Sequence, residues 1–308
     1  NNGDGTFTLS TDYKAQSRPT NDLSAIDINN DEKIDIIVGG SSVAGSYPLS
    51  EKTYVMLNKG NGAFEPIYNK SLDTANLANE IKVNDIDNDG ADEIIIACEW
   101  GPIRIYKNVN NALQEITADL QLDTKTGWWN SINLHDLDND GDLDILATNF
   151  GYNTKYKAST SKPELLYYSD FDESGKLDIV EAKYEGNDLV PRRGFSCSQL
   201  AMPFIKDKMK SFHNFASSSL SGIYSKTSIS SATKYEINTL ESGVFINEKT
   251  HFKFIKLPPE AQIAPSFGST VTDINEDGIA DIVLAQNFYG PQRETGRMDG
   301  GLSLILLG

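Results

Sequence analysis

Five times along the chain, oxygen-bearing side chains recur at alternate positions of a short turn. The segments are DINNDEKIDIIV (residues 27–38), DIDNDGADEIII (85–96), DLDNDGDLDILA (136–147), DFDESGKLDIVE (170–181) and DINEDGIADIVL (273–284). Relative positions 1, 3, 5, 7 and 9 hold Asp27, Asn29, Asp31, Lys33 and Asp35 in the first, and Asp85, Asp87, Asp89, Ala91 and Glu93 in the second. They hold Asp136, Asp138, Asp140, Asp142 and Asp144 in the third, Asp170, Asp172, Ser174, Lys176 and Asp178 in the fourth, and Asp273, Asn275, Asp277, Ile279 and Asp281 in the fifth. Gly sits at position 6 in four of the five, and an apolar run follows each turn.

A hard cation such as Ca²⁺ takes about six to eight oxygens at about 2.4 Å, and a tight loop with alternate side chains turned inward is a compact way to supply them. Positions 1, 3 and 5 offer side chains, position 7 its backbone carbonyl, and the acid at position 9 closes the shell. Gly at position 6 permits the bend. Single Asp/Asn/Gly clusters also make ordinary hairpin turns, but five aligned copies favour the metal reading, with four to five ions. The first loop has Glu32 in place of Gly and the fourth has Ser174 at position 5, so these two are expected to bind more weakly than the second and third. In the second, Asp92 stands beside Glu93 and either is the candidate closing ligand.

Apolar residues precede each turn as well, in LSAIDI, EIKVNDI, NSINLHDL, ELLYYSDF and GSTVTDI. The repeating unit therefore reads strand, acidic turn, strand, and the fold class is all-β. No helices flank the turns, which argues against an EF-hand. The segments look like the FG-GAP or VCBS repeats of integrin-α-like β-propellers. Residues 27–147 and 244–308 carry the resemblance best, with LNKGNGAF, VFINEKTHFKF and the opening NNGDGTF resembling outer hairpins of blades. PRRGFSCSQLAMPFIKDKMKSFHNFA, LPPEAQIAP and NFYGPQRETGRMDGG further resemble large secreted VCBS-repeat proteins of bacteria. The resemblance implies an extracellular, calcium-dressed β-propeller at a cell surface or in secretion, with four to five recognisable blades. It supplies no reaction.

The first aspartates are spaced by 58, 51, 34 and 103 residues. The short interval suggests that Asp136 and Asp170 mark two hairpins of one blade, and the long one holds an insertion. Leu200, Ile205, Met209, Phe212, Phe215, Ala216, Leu220 and Ile223 recur at helical spacing, so a helical insertion is expected at 198–226 within a single domain or part-domain over 1–308. The chain begins at Asn1 inside what reads as a repeat, which suggests a piece of a longer protein with further flanking domains. Either it is an excerpt of a larger ring, or residues 6–13 pair with 302–307 to close it.

Strand ends after the acidic turns define the opposite surface. Glu99-Trp100-Gly101, Asn149-Phe150-Gly151 and Asn287-Phe288-Tyr289-Gly290 each join a polar group, an aromatic and a Gly, with Trp128-Trp129, Arg293, Glu294, Arg297 and Asp299 nearby. Glu99, Trp100, Asn149, Phe150, Asn287, Phe288, Arg293 and Arg297 are the candidate ligand contacts. Aromatic planes beside amides and carboxylates suit a carbohydrate or an extended peptide, as in an adhesion module. The same aromatics would also serve as wedges between blades in a purely structural domain. A lyase or glycosidase using Glu99, Tyr289 or Arg293 is a third reading.

Composition narrows the field. A charge of −17 and a pI near 4.5 work against nucleic-acid binding, which relies on Lys and Arg. No apolar run reaches the ~18 residues of a spanning helix. Two cysteines, Cys98 and Cys197, exclude a disulfide scaffold. No nucleophile-elbow, phosphate-loop, dinucleotide or His-rich zinc motif occurs, and three histidines leave little acid-base chemistry.

Overall fold

The computed structural model describes residues 2–9, 18–110, 112–291 and 295–308. The chain is mostly antiparallel β-sheet. β1 (Thr20–Ile26), β2 (Asp35–Gly40), β3 (Tyr54–Gly60) and β4 (Ala63–Ile67) form the first sheet in sequence order. β5 (Ala78–Asn84), β6 (Glu93–Gly101), β7 (Arg104–Val109) and β8 (Ala112–Glu115) form the second, to which the short β9 (Gly127–Trp128) adds along the end of β6. β10 (Ser131–His135) and β11 (Asp144–Thr148) begin the third, which then breaks off.

Residues 149–242 are inserted there. They contain a separate sheet of β12 (Glu164–Ser169), β13 (Asp178–Glu185), β14 (Asp188–Pro191) and β15 (Thr233–Ile237), in the order β14-β13-β12-β15. Five short helices, Phe195–Ala201, Phe204–Met209, Phe212–Ala216, Leu220–Tyr224 and Lys226–Ser231, join β14 to β15. The third sheet then resumes with β16 (Gly243–Asn247) and β17 (Phe252–Lys256), β16 pairing with β11. β18 (Ser266–Thr272), β19 (Asp281–Gln286) and β20 (Leu304–Leu306) form the fourth sheet.

The first strands β1, β5, β10 and β18 lie beside one another in that order, so the four sheets stand face to face. This explains the unbroken apolar run of β6. Ile94 and Ile96 pack toward the first sheet with Ile26, Ile37 and Val55, while Ile95 and Ala97 pack toward the third with Ile132, Ile145 and Phe245. A strand buried on both faces needs apolar side chains at every position rather than at every second one. β11 repeats the device, with Ile145 and Ala147 on one side and Leu146 packed against Ile282 and Leu284 on the other.

The helices cover one face of the inserted sheet. Leu165, Tyr167, Val180 and Ala182 meet the helices through Met202, Ile205, Met209, Phe215, Leu220 and Ile223. The methionines of the helical stripe are thus core, whereas Leu200 and Phe212 are 82% and 65% exposed. Five short helices replace one or two longer ones because Pro203, Lys210 with φ 64° and Ser225 with φ 70° interrupt the periodicity.

Two sequence expectations change. Asp136 and Asp170 do not belong to one sheet, since their turns join β10 to β11 and β12 to β13. Residues 6–9 form no strand, with Phe7 and Leu9 78% and 88% exposed, and 10–13 lie outside the described residues. Among the described residues no substantial contact joins β18–β20 back to β1–β4. Cys98 is a buried thiol pushed up to about 12 by burial, and no disulfide joins it to Cys197.

Candidate functional site

The five acidic turns share one backbone. Position 4 is left-handed in each, at Asn30, Asn88, Asn139, Glu173 and Glu276, and so is position 6, at Glu32, Gly90, Gly141, Gly175 and Gly278. The position-1 aspartate holds this shape by accepting two backbone N–H groups, those of positions 5 and 6. In the third loop, Asp140 and Gly141 donate to Asp136 at 3.1 and 3.0 Å. Sequence reading found the glycine and missed position 4, where Asn in three loops is the available signal.

Position 9 does two jobs. In every loop its carboxylate accepts the N–H of position 2, as Asp144 does from Leu137 at 2.8 Å. Asp35, Asp144 and Asp281 also accept from the outer part of their own sheet, from Asn58 at 2.7 Å, Asn247 at 2.8 Å and Gly308 at 2.9 Å. Glu93 is the buried closing acid of the second loop, and Asp92 is exposed.

Three loops gather carboxylate oxygens within 4.8 Å of one another: Asp85, Asp87 and Glu93; Asp136, Asp138 and Asp144; Asp170, Asp172 and Asp178. Oxygens bound at about 2.4 Å on opposite sides of one Ca²⁺ would stand about that far apart. In these three loops burial first, and neighbouring aspartates after it, push Glu93, Asp144 and Asp178 above the ordinary carboxylate range. Glu93 Oε1 is buried without a hydrogen-bond partner. Oxygen-only ligands gathered this closely fit a hard dication.

The remaining candidates are placed differently. Asp89 and Asp140 bond the N–H of position 7 and stand outside the gathered groups, and Asp142 turns to Asn88 at 2.9 Å and Lys249 at 3.2 Å. The fourth loop gathers three acids despite Ser174, whereas the first and fifth, with Asn29 and Asn275 at position 3, do not. In the second loop Lys107 reaches in, contacting Asp87, lying 2.7 Å from Asp89 and 3.4 Å from Glu93.

At the ends of β6, β11 and β19 opposite their acidic turns lies a pocket of about 480 Å³, also lined by Ile179, which follows Asp178 of the fourth loop. Glu99, Trp100, Phe150 and Phe288 line it together. Tyr47 from the β2–β3 connection, Trp128 from β9 and Phe267 from β18 join them, and Tyr156, Glu181 and Arg193 arrive from the insertion. Trp128 touches Trp100 at 5.1 Å and both Phe150 and Tyr156 at 4.8 Å, edge to face. The chain of rings continues through Phe150 and Phe288 at 6.1 Å to Phe267 at 5.3 Å.

The polar candidates divide. Asn149 is fully buried and spends its amide on the N–H groups of Trp128 and Phe150 and the carbonyl of Thr239. Asn287 likewise bonds both backbone groups of Gly301. Both are structural locks for the loops that carry the aromatics. Arg297 is exposed and does not line the pocket, and Arg293 lies outside the described residues.

Glu99 is different. Trp100 Nε1 donates to the Tyr47 hydroxyl, and that hydroxyl donates to Glu99 Oε1 at 2.5 Å. Burial pushes Glu99 above the ordinary glutamate range, partly offset by this bond, and pushes the Tyr47 phenol up too. Across the pocket, Tyr156 donates to Glu181 at 2.8 Å and Arg193 lies 3.7 Å from it. Arg192 stacks on Tyr156 at 4.4 Å and pairs with Glu164. Sequence reading missed Tyr47, Tyr156, Glu181 and Arg193, because nothing local marks a loop or an insertion as facing a pocket.

Face-to-face antiparallel sheets, each with an acidic turn between two of its strands, define a mostly β protein built from a repeated hairpin. The family model for the FG-GAP-like repeat matches twice, over residues 27–96 and 85–147, and the chain carries FG-GAP-like repeats. A search of curated proteins returns no match. Among solved structures, one described as showing specific recognition of non-reducing terminal N-acetylglucosamine by an Agrocybe aegerita lectin aligns at 15% identity, over 91% of this chain and 81% of that one. Its TM-score of 0.31 carries no argument about this chain's ligand. Among the described residues no helix is long and apolar enough to cross a membrane.

Proposed function

We propose that the protein is a calcium-dressed, extracellular or cell-surface β-propeller module that binds carbohydrate in the aromatic pocket. The four face-to-face sheets are its blades, and the acidic loops are metal sites that stiffen them. Calcium is held by Asp85, Asp87 and Glu93, by Asp136, Asp138 and Asp144, and by Asp170, Asp172 and Asp178, where it supplies charge neutralisation. The ligand lies at the ends of β6, β11 and β19 opposite their acidic loops, so calcium in those loops supports binding only through the fold.

The pocket carries this reading. Its wall is largely aromatic, yet Trp128 Nε1 is a buried donor without a hydrogen-bond partner, and no described residue bonds Glu99 Oε2. A sugar matches such a wall, with an apolar ring face to stack and hydroxyls to bond at isolated points. A glycan array with calcium saturating tests it. Binding that is lost in Phe288→Ala supports the reading. Binding that survives Phe288→Ala but is lost in a folded acidic-loop variant places the ligand on the metal face instead.

A further inference from the structure

Among the described residues, Glu99 and Glu181 are the acidic ones lining the pocket, and they are provided for unequally. Glu181 has Arg193 at 3.7 Å and the Tyr156 hydroxyl. The other part-buried acids nearby are matched as well, Glu164 by Arg192 and Glu115 by Arg104. Glu99 has no basic partner among the described residues, and its one bond comes from a neutral phenol. The donor order from Trp100 through Tyr47 runs toward Glu99, so the network ends on an acceptor whose second oxygen is left over.

A carboxylate taken out of water without a counter-charge is costly, and a cation brought to it recovers much of that cost. The surfaces around this one are rings, and the faces of Trp, Tyr and Phe attract cations through their quadrupoles. Among the described residues the cation lining the pocket is Arg193, which faces Glu181 rather than Glu99. We infer that the pocket selects an ammonium group, as an amino sugar presents it, placed against Glu99 with the Trp100, Trp128 and Phe150 rings around it. The inference rests on the sugar-binding reading for the carrier of the charge and on Glu99 for the charge itself.

The test is calorimetric titration of the full chain, calcium-loaded at neutral pH, with glucosamine, glucose, N-acetylglucosamine and tetramethylammonium. Glucosamine should bind about tenfold more tightly than either uncharged sugar, the ratio expected of one desolvated cation–π and charge contact. Glu99→Gln, which keeps the acceptor for Tyr47, should abolish the preference, bringing the glucosamine and glucose affinities within about twofold of each other. Tetramethylammonium should bind the parent and not Glu99→Gln. If tetramethylammonium behaves so while no sugar binds, the cation site stands and the sugar reading fails. Equal affinity for glucosamine and glucose, or a preference that survives Glu99→Gln, overturns the inference and leaves the sugar reading in place. A thermal melt of Glu99→Gln at or above the parent's midpoint shows that lost preference is not lost folding.

Discussion

Asp144 and Asn247 stand 103 residues apart in sequence and 2.8 Å apart in space, the aspartate accepting the asparagine's backbone N–H. Asn247 in turn donates to the carbonyls of Ile86, at 3.0 Å, and Leu143, at 3.2 Å. One bond thus ties an acidic loop to the outer half of its sheet across the whole insertion. Asp35 and Asn58 make the same contact over 23 residues, where nothing is inserted. The insertion therefore leaves the geometry of its host sheet intact.

Asp144→Ala should destabilise the protein strongly even when no metal is bound. It strands two N–H groups, the buried one of Asn247 and the part-buried one of Leu137, at up to about 1–3 kcal/mol each. Urea denaturation in excess EGTA measures this, with about 3 kcal/mol expected. A loss under about 1 kcal/mol would mean that the carboxylate matters only as a ligand.

Glu32→Gly should stabilise. Glu32 holds φ at 63°, where the other four loops use Gly, and a side chain there costs about 1–2 kcal/mol, offset in part by the larger entropy that Gly loses on folding. A gain of about 0.5–1 kcal/mol is expected in the same denaturation assay. Gly141→Ala, at φ 95° with open space around the position, should lose a similar amount.

Removing calcium should lower the melting midpoint, because the gathered carboxylates repel one another and a ligand specific to the native state stabilises it. Asp138→Ala should weaken binding more than Asn29→Ala. Lys107→Met should raise calcium affinity at the second loop about three- to tenfold by removing the ammonium that competes there. Terbium luminescence titration reads the change, and an unaltered affinity would show that Lys107 moves aside without cost.

The pH dependence of Glu99 has a definite sign. Its native carboxyl is held above the ordinary glutamate range, so between the unfolded and native values the native state keeps a proton that the unfolded state has lost. Its contribution to stability therefore declines as pH rises through that window and is level above it. Glu99→Gln should remove that decline when the two stability–pH curves are compared.

Phe288→Ala and Trp100→Ala should separate binding from packing. Trp100 is only 7% exposed and its loss should cost about 3–5 kcal/mol. Phe288 is half-buried, so its truncation should cost much less stability while lowering ligand affinity at least tenfold. Equal destabilisation by both would favour the wedge role for these rings.

The acidic loops were legible in the sequence because they are local. Position 1 bonds positions 5 and 6, position 9 bonds position 2, and both relationships lie within nine residues, so a repeated spacing is enough to expose them. The apolar runs of β6 and β11 were legible for the same reason, since a strand covered on both faces must be apolar throughout. Which carboxylates converge was not, because Asn29, Asn275, Lys107 and the register of each turn decide it in space. The pocket was half legible. Glu99, Trp100, Phe150 and Phe288 follow from the repeat, while Asn149 and Asn287, which look like binding groups in the sequence, are consumed by backbone partners such as Thr239 and Gly301. Tyr47, Tyr156, Glu181 and Arg193 reach the pocket only because a 94-residue insertion folds back between two hydrogen-bonded strands and a long connection bends toward Glu99. Contacts of that kind depend on how sheets stack, and no periodicity along the chain encodes them.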